Sequence, residues 1–231
     1  MKDRNVLLTG GTGGLGQGVL PSVIEQGASV IVPYRQEESA DSLRQKLSAE
    51  HLKQVKFVKA DLTVESEVIE IFSGLDKVDV LIHLVGGFDM GKIHQYSVDD
   101  WQKTFSLNLL TTFITCKHCL KLMQKHNYGR IITVGSRGAV DPAPQLGAYS
   151  AAKAGVVALT KAIAEENQDY NITANAVLPS VIDTPANRQD MGEENADQWV
   201  KPASLARLIC FLASEDAGDI SGAAIPIYGD A

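Results

Sequence analysis

The chain has 231 residues, 45% of them hydrophobic and 21% charged, with a formal net charge of −7. That is enough apolar material for a core and too little charge for disorder, and an acidic balance disfavours nucleic-acid or anionic-membrane surfaces. No run approaches the roughly 20 apolar residues of a membrane helix, no signal-peptide pattern opens the chain, and three cysteines make no disulfide framework. The expectation is a single cytoplasmic domain over residues 1–231 that binds neither nucleic acid nor membrane.

In chain order, short continuous apolar runs predict buried strands at Asn5–Thr9, Ser29–Pro33, Val55–Val58, Val78–Leu84, Arg130–Val134, Ile172–Val177 and Ala224–Ile227. Between them, segments of helical character cover roughly Gly14–Gln26, Glu37–Glu50, Val64–Ser73, Val98–His126, Tyr149–Gln168 and Pro202–Ser214. Such alternation predicts an α/β architecture: a doubly wound, mostly parallel sheet with helices on both faces. Ligands of these sheets bind beyond the carboxyl ends of the strands. Chemistry is therefore sought just after each strand.

The first strand runs into Thr9-Gly10-Gly11-Thr12-Gly13-Gly14-Leu15-Gly16 and then a helix. Glycines there allow close backbone approach, so the helix N-terminus can present free N–H groups to a pyrophosphate. Pro21 falls inside that helix, where it removes a hydrogen bond; no functional reason for it is apparent. Further on, Tyr149-Ser150-Ala151-Ala152-Lys153 opens a helix, and a spacing of four sets both side chains on one face. A lysine ammonium beside a phenol would draw its pKa below the usual value of about 10. Ser136 follows the strand Arg130–Val134, where its hydroxyl could polarise a substrate oxygen. Each signal alone fits a solvated helix face or a loop hydroxyl. Together with the glycine loop they point to a redox site.

These residues resemble the short-chain dehydrogenase/reductase family over essentially the whole chain. Its Thr-Gly-x-x-x-Gly-x-Gly matches Thr9, Gly10, Gly14 and Gly16, and its Tyr-x-x-x-Lys matches Tyr149 and Lys153. The resemblance implies a Rossmann-like single domain and a catalytic set of Asn108, Ser136, Tyr149 and Lys153. It also implies cofactor contacts at Gly10, Thr12, Gly14, Leu15, Gly16, Arg35, Asp61, Leu62, Gly86, Ile182 and Thr184, shared with Tyr149 and Lys153. Asp61 would lie at the adenine, and Ile182 and Thr184 at the nicotinamide carboxamide. Tyr34 stands where NAD-preferring members carry an acid, and Arg35 follows it, so NADP(H) is the expected cofactor, with NAD(H) possible. The implied function interconverts a carbonyl and an alcohol by hydride transfer, with Tyr149 as acid/base and a small molecule as substrate. Local likeness to the dihydropteridine reductase branch, in Val85-Gly86-Gly87-Phe88 and from Leu178 to Trp199, gives a second reading as a pterin reductase. A nucleotide-sensing regulator without turnover is the third.

The family's Asn-Asn-Ala-Gly reads His83-Leu84-Val85-Gly86 here, and its Pro-Gly reads Pro179-Ser180. His83 is read as a hydrogen-bonded structural histidine. Cys116-Lys117-His118-Cys119 has metal-site spacing but lies inside a helix without a second ligand pair, so its cysteines are read as core and no metal is expected. His51, His94 and His126 are assigned to the surface. A short substrate loop is expected near residues 185–200. The apolar helix beginning at Tyr149 needs burial on two sides, which with the resemblance predicts a homotetramer, or failing that a dimer.

Overall fold

The computed structural model describes residues 1–230. Parallel strands β1 (Asn5–Thr9), β2 (Ser29–Tyr34), β3 (Val55–Lys59), β4 (Val80–His83), β5 (Gly129–Val134), β6 (Ile172–Pro179) and β7 (Ala224–Ile227) form one sheet in the order β3-β2-β1-β4-β5-β6-β7. The chain leaves β1 toward one edge, then crosses back and builds outward from β4, so the switch point lies between β1 and β4. Period-two alternation explains how continuous apolar strands feed two cores. Val6, Leu8, Val30, Val32 and Ile82 face the helices α1 (Gly14–Glu25) and α9 (Pro202–Leu212). Leu7, Ile31, Leu81 and Ile131 face the opposite layer, built from α4 (Glu65–Ser73), α6 (Thr111–Lys125) and α7 (Gly147–Glu166). The expected doubly wound α/β domain is what the chain forms.

Several boundaries differ from the sequence reading, most by a residue or two, and three have a plain physical reason. The helix expected over Glu37–Glu50 stops at α2 (Glu37–Lys46), and Ser48 caps a short α3 (Ala49–Leu52) by accepting a hydrogen bond from His51 N–H. The strand expected over Val78–Leu84 shortens to β4, because only Val80–His83 pairs on both sides. The helix expected over Val98–His126 is three pieces: α5 (Val98–Phe105), a π turn at Ser106–Leu110, and α6. Within the turn, Thr111 N–H reaches back five residues to Ser106 O. Hydroxyls of Thr111, Thr112 and Thr115 then bond the carbonyls of Leu107, Asn108 and Thr111, each at 2.7 Å. Pro21 sits inside α1, leaving the Gln17 carbonyl without its usual donor.

His83 ends β4 and pairs in register with Thr9 and Thr133. Its ring is buried, with Nδ1 2.9 Å from the Thr9 hydroxyl and Nε2 3.4 Å from that of Thr111. It is a structural histidine, as expected. Cys116 and Cys119 are likewise core residues, and burial pushes the Cys116 thiol up to about 12. His94 and His126 are exposed, and His51 is half-buried.

Burial, reinforced by the charge of Lys153, pushes the His83 pKa down from the ordinary 6.5 to about 3. Between those values the unfolded chain binds a proton that the folded chain refuses, so His83 costs stability progressively as pH falls through that window. Thermal melts from about pH 7 to about pH 4 should therefore show a smaller acid-induced loss in His83→Asn than in the wild type. Parallel losses would mean that His83 titrates normally in the fold.

Candidate active site

The glycine loop leaves β1 with Gly10 at φ 69°, a left-handed conformation that favours glycine. A Cβ on Gly10 would lie 2.9 Å from the backbone of Leu84 and Val85 after β4. Gly16 is packed even more tightly, against Gly10 and Gly11. Gly13 N–H donates to Gly10 O at 3.0 Å, and the Gln17 amide donates to Thr12 O at 3.0 Å. Gly13 caps α1 without a side-chain hydrogen bond, so the N–H groups of the first turn point outward unsatisfied by any cap. Leu15 anchors the turn by packing on the core. This cradle fits a dinucleotide pyrophosphate.

At the far end of the cradle, Arg35 follows β2 with its side chain 64% exposed and its Nη1 3.9 Å from Asp61 Oδ2. Burial opposes ionisation of Asp61, but hydrogen bonds from the Thr63 hydroxyl (2.6 Å) and N–H (2.9 Å), with the charge of Arg35, hold its carboxyl below the usual range. Leu62 is buried beside it. The adjoining Tyr34 hydroxyl donates to Glu37 at 2.8 Å.

The second group gathers after β4 and β5. Lys153 is buried and donates from Nζ to Val134 O at 2.9 Å. A Cβ on Gly86 would stand 2.8 Å from Asn108 Oδ1 and 2.9 Å from Lys153 Nζ, so only glycine lets that backbone pass between them. The Asn108 amide donates to Gly87 O (3.0 Å) and Thr104 O (2.9 Å), and its Oδ1 accepts from Gly87 N–H at 3.2 Å. Ser136 accepts from Gly138 N–H at 3.1 Å, and a Cβ on Gly138 would lie 3.6 Å from its hydroxyl and 4.0 Å from the Tyr149 ring, so the two side chains flank the same backbone. The four residues named from sequence thus meet at one corner.

Their electrostatics differ from the sequence expectation. Burial pushes the Tyr149 phenol above its ordinary pKa, with Ser136 pulling weakly the other way. Burial also pulls the Lys153 ammonium down to about 8. Lys153 Nζ lies 5.9 Å from the centre of the Tyr149 ring, and burial is the largest influence on the phenol.

The segment after β6 closes the site. Thr184 packs where a Gly14 Cβ would lie 3.2 Å away, which joins the segment after β6 to the glycine loop. Its hydroxyl caps α8 (Pro185–Met191), accepting from Asn187 N–H at 3.2 Å. Sequence reading took this stretch as loop, yet Thr-Pro is an N-cap followed by a preferred first-turn residue. Ile182 bridges to Val200. Between them, Asp183 accepts from Arg188 at 2.6 and 3.0 Å and from Lys201 at 2.9 Å, which holds its carboxyl far below the usual range. These contacts cinch both ends of the 185–200 segment, a role for Asp183 that no local spacing in the sequence signals.

The short chain dehydrogenase family pattern matches residues 4–195 of the chain. The chain belongs to the short-chain dehydrogenase/reductase family. It is an NAD(P)-dependent oxidoreductase. It is 32% identical to YtkK of Bacillus subtilis (strain 168), named as an oxidoreductase, over 98% of this chain and 95% of that one. It is 30% identical to the 3-oxoacyl-[acyl-carrier-protein] reductase MabA of Mycobacterium tuberculosis (strain ATCC 25618 / H37Rv), over 98% and 92%. Among solved structures, ElxO with NADP bound superposes with a TM-score of 0.90 at 29% identity, covering 99% of this chain and 98% of that one. No helix among the described residues of this reductase is long and apolar enough to cross a membrane.

Overpacking a close-fitted position costs about 1–3 kcal/mol. Gly86→Ala should lose that much stability by denaturant titration and bind dinucleotide at least tenfold more weakly. Gly74→Ala, with nothing within 4 Å of its Cβ, should match the wild type. An unperturbed Gly86→Ala would show that Asn108 and Lys153 can part freely.

Proposed function

We propose that this reductase interconverts a carbonyl and an alcohol with Tyr149 as the acid/base, prefers NADP(H), and works as a cytoplasmic homotetramer. The observation that carries the reading is the meeting of Tyr149, Ser136 and Lys153 beyond the carboxyl ends of β4 and β5. When bound, the nicotinamide dinucleotide supplies or takes up the hydride. In the reducing direction Tyr149 gives its phenolic proton to the carbonyl oxygen. A phenol kept protonated by burial is suited to that step. Ser136 donates a hydrogen bond to the same oxygen as charge builds on it. Lys153 keeps a cationic centre beside the phenol and holds the cofactor ribose, while Asn108 fixes the Gly86–Gly87 backbone around it. Gly10, Thr12, Gly14, Leu15 and Gly16 hold the pyrophosphate, Asp61 and Leu62 the adenine end, and Ile182 and Thr184 the nicotinamide.

A Ser136 hydroxyl beside the Tyr149 ring favours carbonyl chemistry over the pterin reading, and a sensor without turnover would leave this constellation without a task. Assembly is supported by exposed apolar side chains on two helices. Trp101 stacks on Phe105 at 4.5 Å, and with Leu110 and Phe113 they make an outward stripe across α5 and α6. The exposed positions of α7 include the small residues Ala151, Ala158 and Ala162, with Lys161, Glu165 and Glu166 toward its C-terminal end.

Removing the proton while keeping the ring tests the central assignment. Tyr149→Phe should lower kcat by about 10²–10⁴-fold with dinucleotide binding preserved; more than a tenth of wild-type kcat would sink it. The cofactor preference rests on Arg35, whose side chain is 64% exposed beside Asp61. A charged hydrogen bond to a 2′-phosphate is worth about 1.5–3 kcal/mol, so Arg35→Ala should raise KM for NADPH about tenfold or more and leave KM for NADH nearly unchanged. Equal changes with both cofactors would show that Arg35 does not read the phosphate.

A further inference from the structure

We propose that Phe88 is a specificity-determining residue: with the Tyr149 ring it forms an aromatic corner that seats a flat, unsaturated group attached to the substrate carbonyl. The inference rests on the reading of Tyr149 as the group that meets the carbonyl oxygen, and it adds the substrate class. The two rings lie 5.2 Å apart at 68°. Phe88 is nonetheless 64% exposed, so the contact with Tyr149 covers only part of its ring and most of the side chain faces outward. A planar group entering the angle between two nearly perpendicular rings can stack on one and meet the other edge-on, the two arrangements that aromatic pairs prefer. A small saturated group fills neither wall.

The exposure of Phe88 is held in place rather than left loose. On its N-terminal side, Gly87 is bound through both its N–H and its carbonyl to the Asn108 side chain, at 3.2 and 3.0 Å. A Cβ on Gly87 would meet the Leu107 side chain at 2.5 Å, so that backbone is pressed onto the π turn. On the C-terminal side, Asp89 accepts from the Tyr96 hydroxyl at 2.6 Å, and that hydroxyl also bonds Thr104 at 2.9 Å. Gly91 N–H then donates to Gln145 O at 2.8 Å, just before α7. The tethers run to the π turn that carries Asn108, to α5 before it, and to the segment that leads into α7 and Tyr149, so the ring is positioned from both sides of the reacting group.

The rim agrees in character. Met90 and Ile93 on the same loop are also exposed, and Ile93 packs where a Cβ on Gly147 would stand, in the first turn of α7. The carboxylate nearest to Phe88 in the chain, Asp89, is taken up by Tyr96. Exposed apolar groups gathered beside a reacting centre mark a binding wall.

The test compares an aryl methyl ketone with a small aliphatic methyl ketone, using NADPH. In Phe88→Ala the ratio of kcat/KM for the aryl over the aliphatic ketone should fall about tenfold, which is about 1.4 kcal/mol and within what aromatic contacts supply. Phe88→Tyr should keep the ratio, and Phe88→Leu, apolar but not aromatic, should lose most of it. A ratio unchanged in Phe88→Ala, or kept by Phe88→Leu, overturns the proposal. Calorimetric binding of the aryl carbinol to the enzyme–NADPH complex, which cannot react, reads the same corner without turnover and should weaken about tenfold in Phe88→Ala. If no ketone is reduced but carbinol binding depends on Phe88, the carbonyl reading falls and the corner stands. If ketones are reduced but neither the ratio nor carbinol affinity responds to Phe88, the corner falls alone.

Discussion

The pair of hydrogen bonds between the Asn108 side chain and the Gly87 backbone fixes the loop after β4 to the helical layer, and much of the site follows from it. With Gly87 held, Gly86 must pass between Asn108 and Lys153, which leaves Lys153 to find its partner in the Val134 carbonyl at the end of β5. The same clamp sets the next residue, Phe88, against Tyr149. An amide can do this because it offers donors and an acceptor from one planar group. A carboxylate there could accept from the Gly87 N–H but would leave the Gly87 carbonyl without a donor.

Burial then decides the proton chemistry. Lys153 and Tyr149 are both shifted toward their neutral forms, the ammonium down to about 8 and the phenol upward. Around neutrality the corner thus holds a protonated phenol beside a lysine that still carries its charge in most molecules. His83, one strand-end away, is held neutral by the same desolvation and by that lysine. A second cation there would raise the cost of keeping Lys153 charged. The histidine that replaces the family's asparagine therefore fits this corner only as an uncharged hydrogen-bonding group between Thr9 and Thr111.

Most of the fold was legible because the strands are continuous apolar runs between amphipathic segments, and the glycine loop and Tyr149/Lys153 are tied to fixed spacings. Ser136 is legible from its place just after the strand Arg130–Val134, whereas Asn108 and Thr184 come from the resemblance alone. What escaped the sequence reading has no local spacing signature. The π turn follows from tertiary demand on Asn108, since Ser106-Leu107-Asn108-Leu109-Leu110 carries no breaker. The ion pairs of Asp183 join residues up to 18 apart, a separation at which spacing along the chain says nothing about contact. The pKa of Tyr149 depends on how deeply the ring is packed, and spacing says only that a lysine is near.

The π turn has a consequence for how such a helix can change. Each residue of an α-helix advances by about 100°, so adding one residue would ordinarily rotate everything beyond it to a new face. Here the extra residue is absorbed within Ser106–Leu110, and Trp101, Phe105, Leu110 and Phe113 still line one groove although Phe105 and Leu110 are five apart. The outer surface keeps the phase of an uninterrupted helix, and the inner surface gains an amide aimed at the strand ends. A single-codon insertion is thus enough to put a new polar group into the interior without re-registering the surface on the other side.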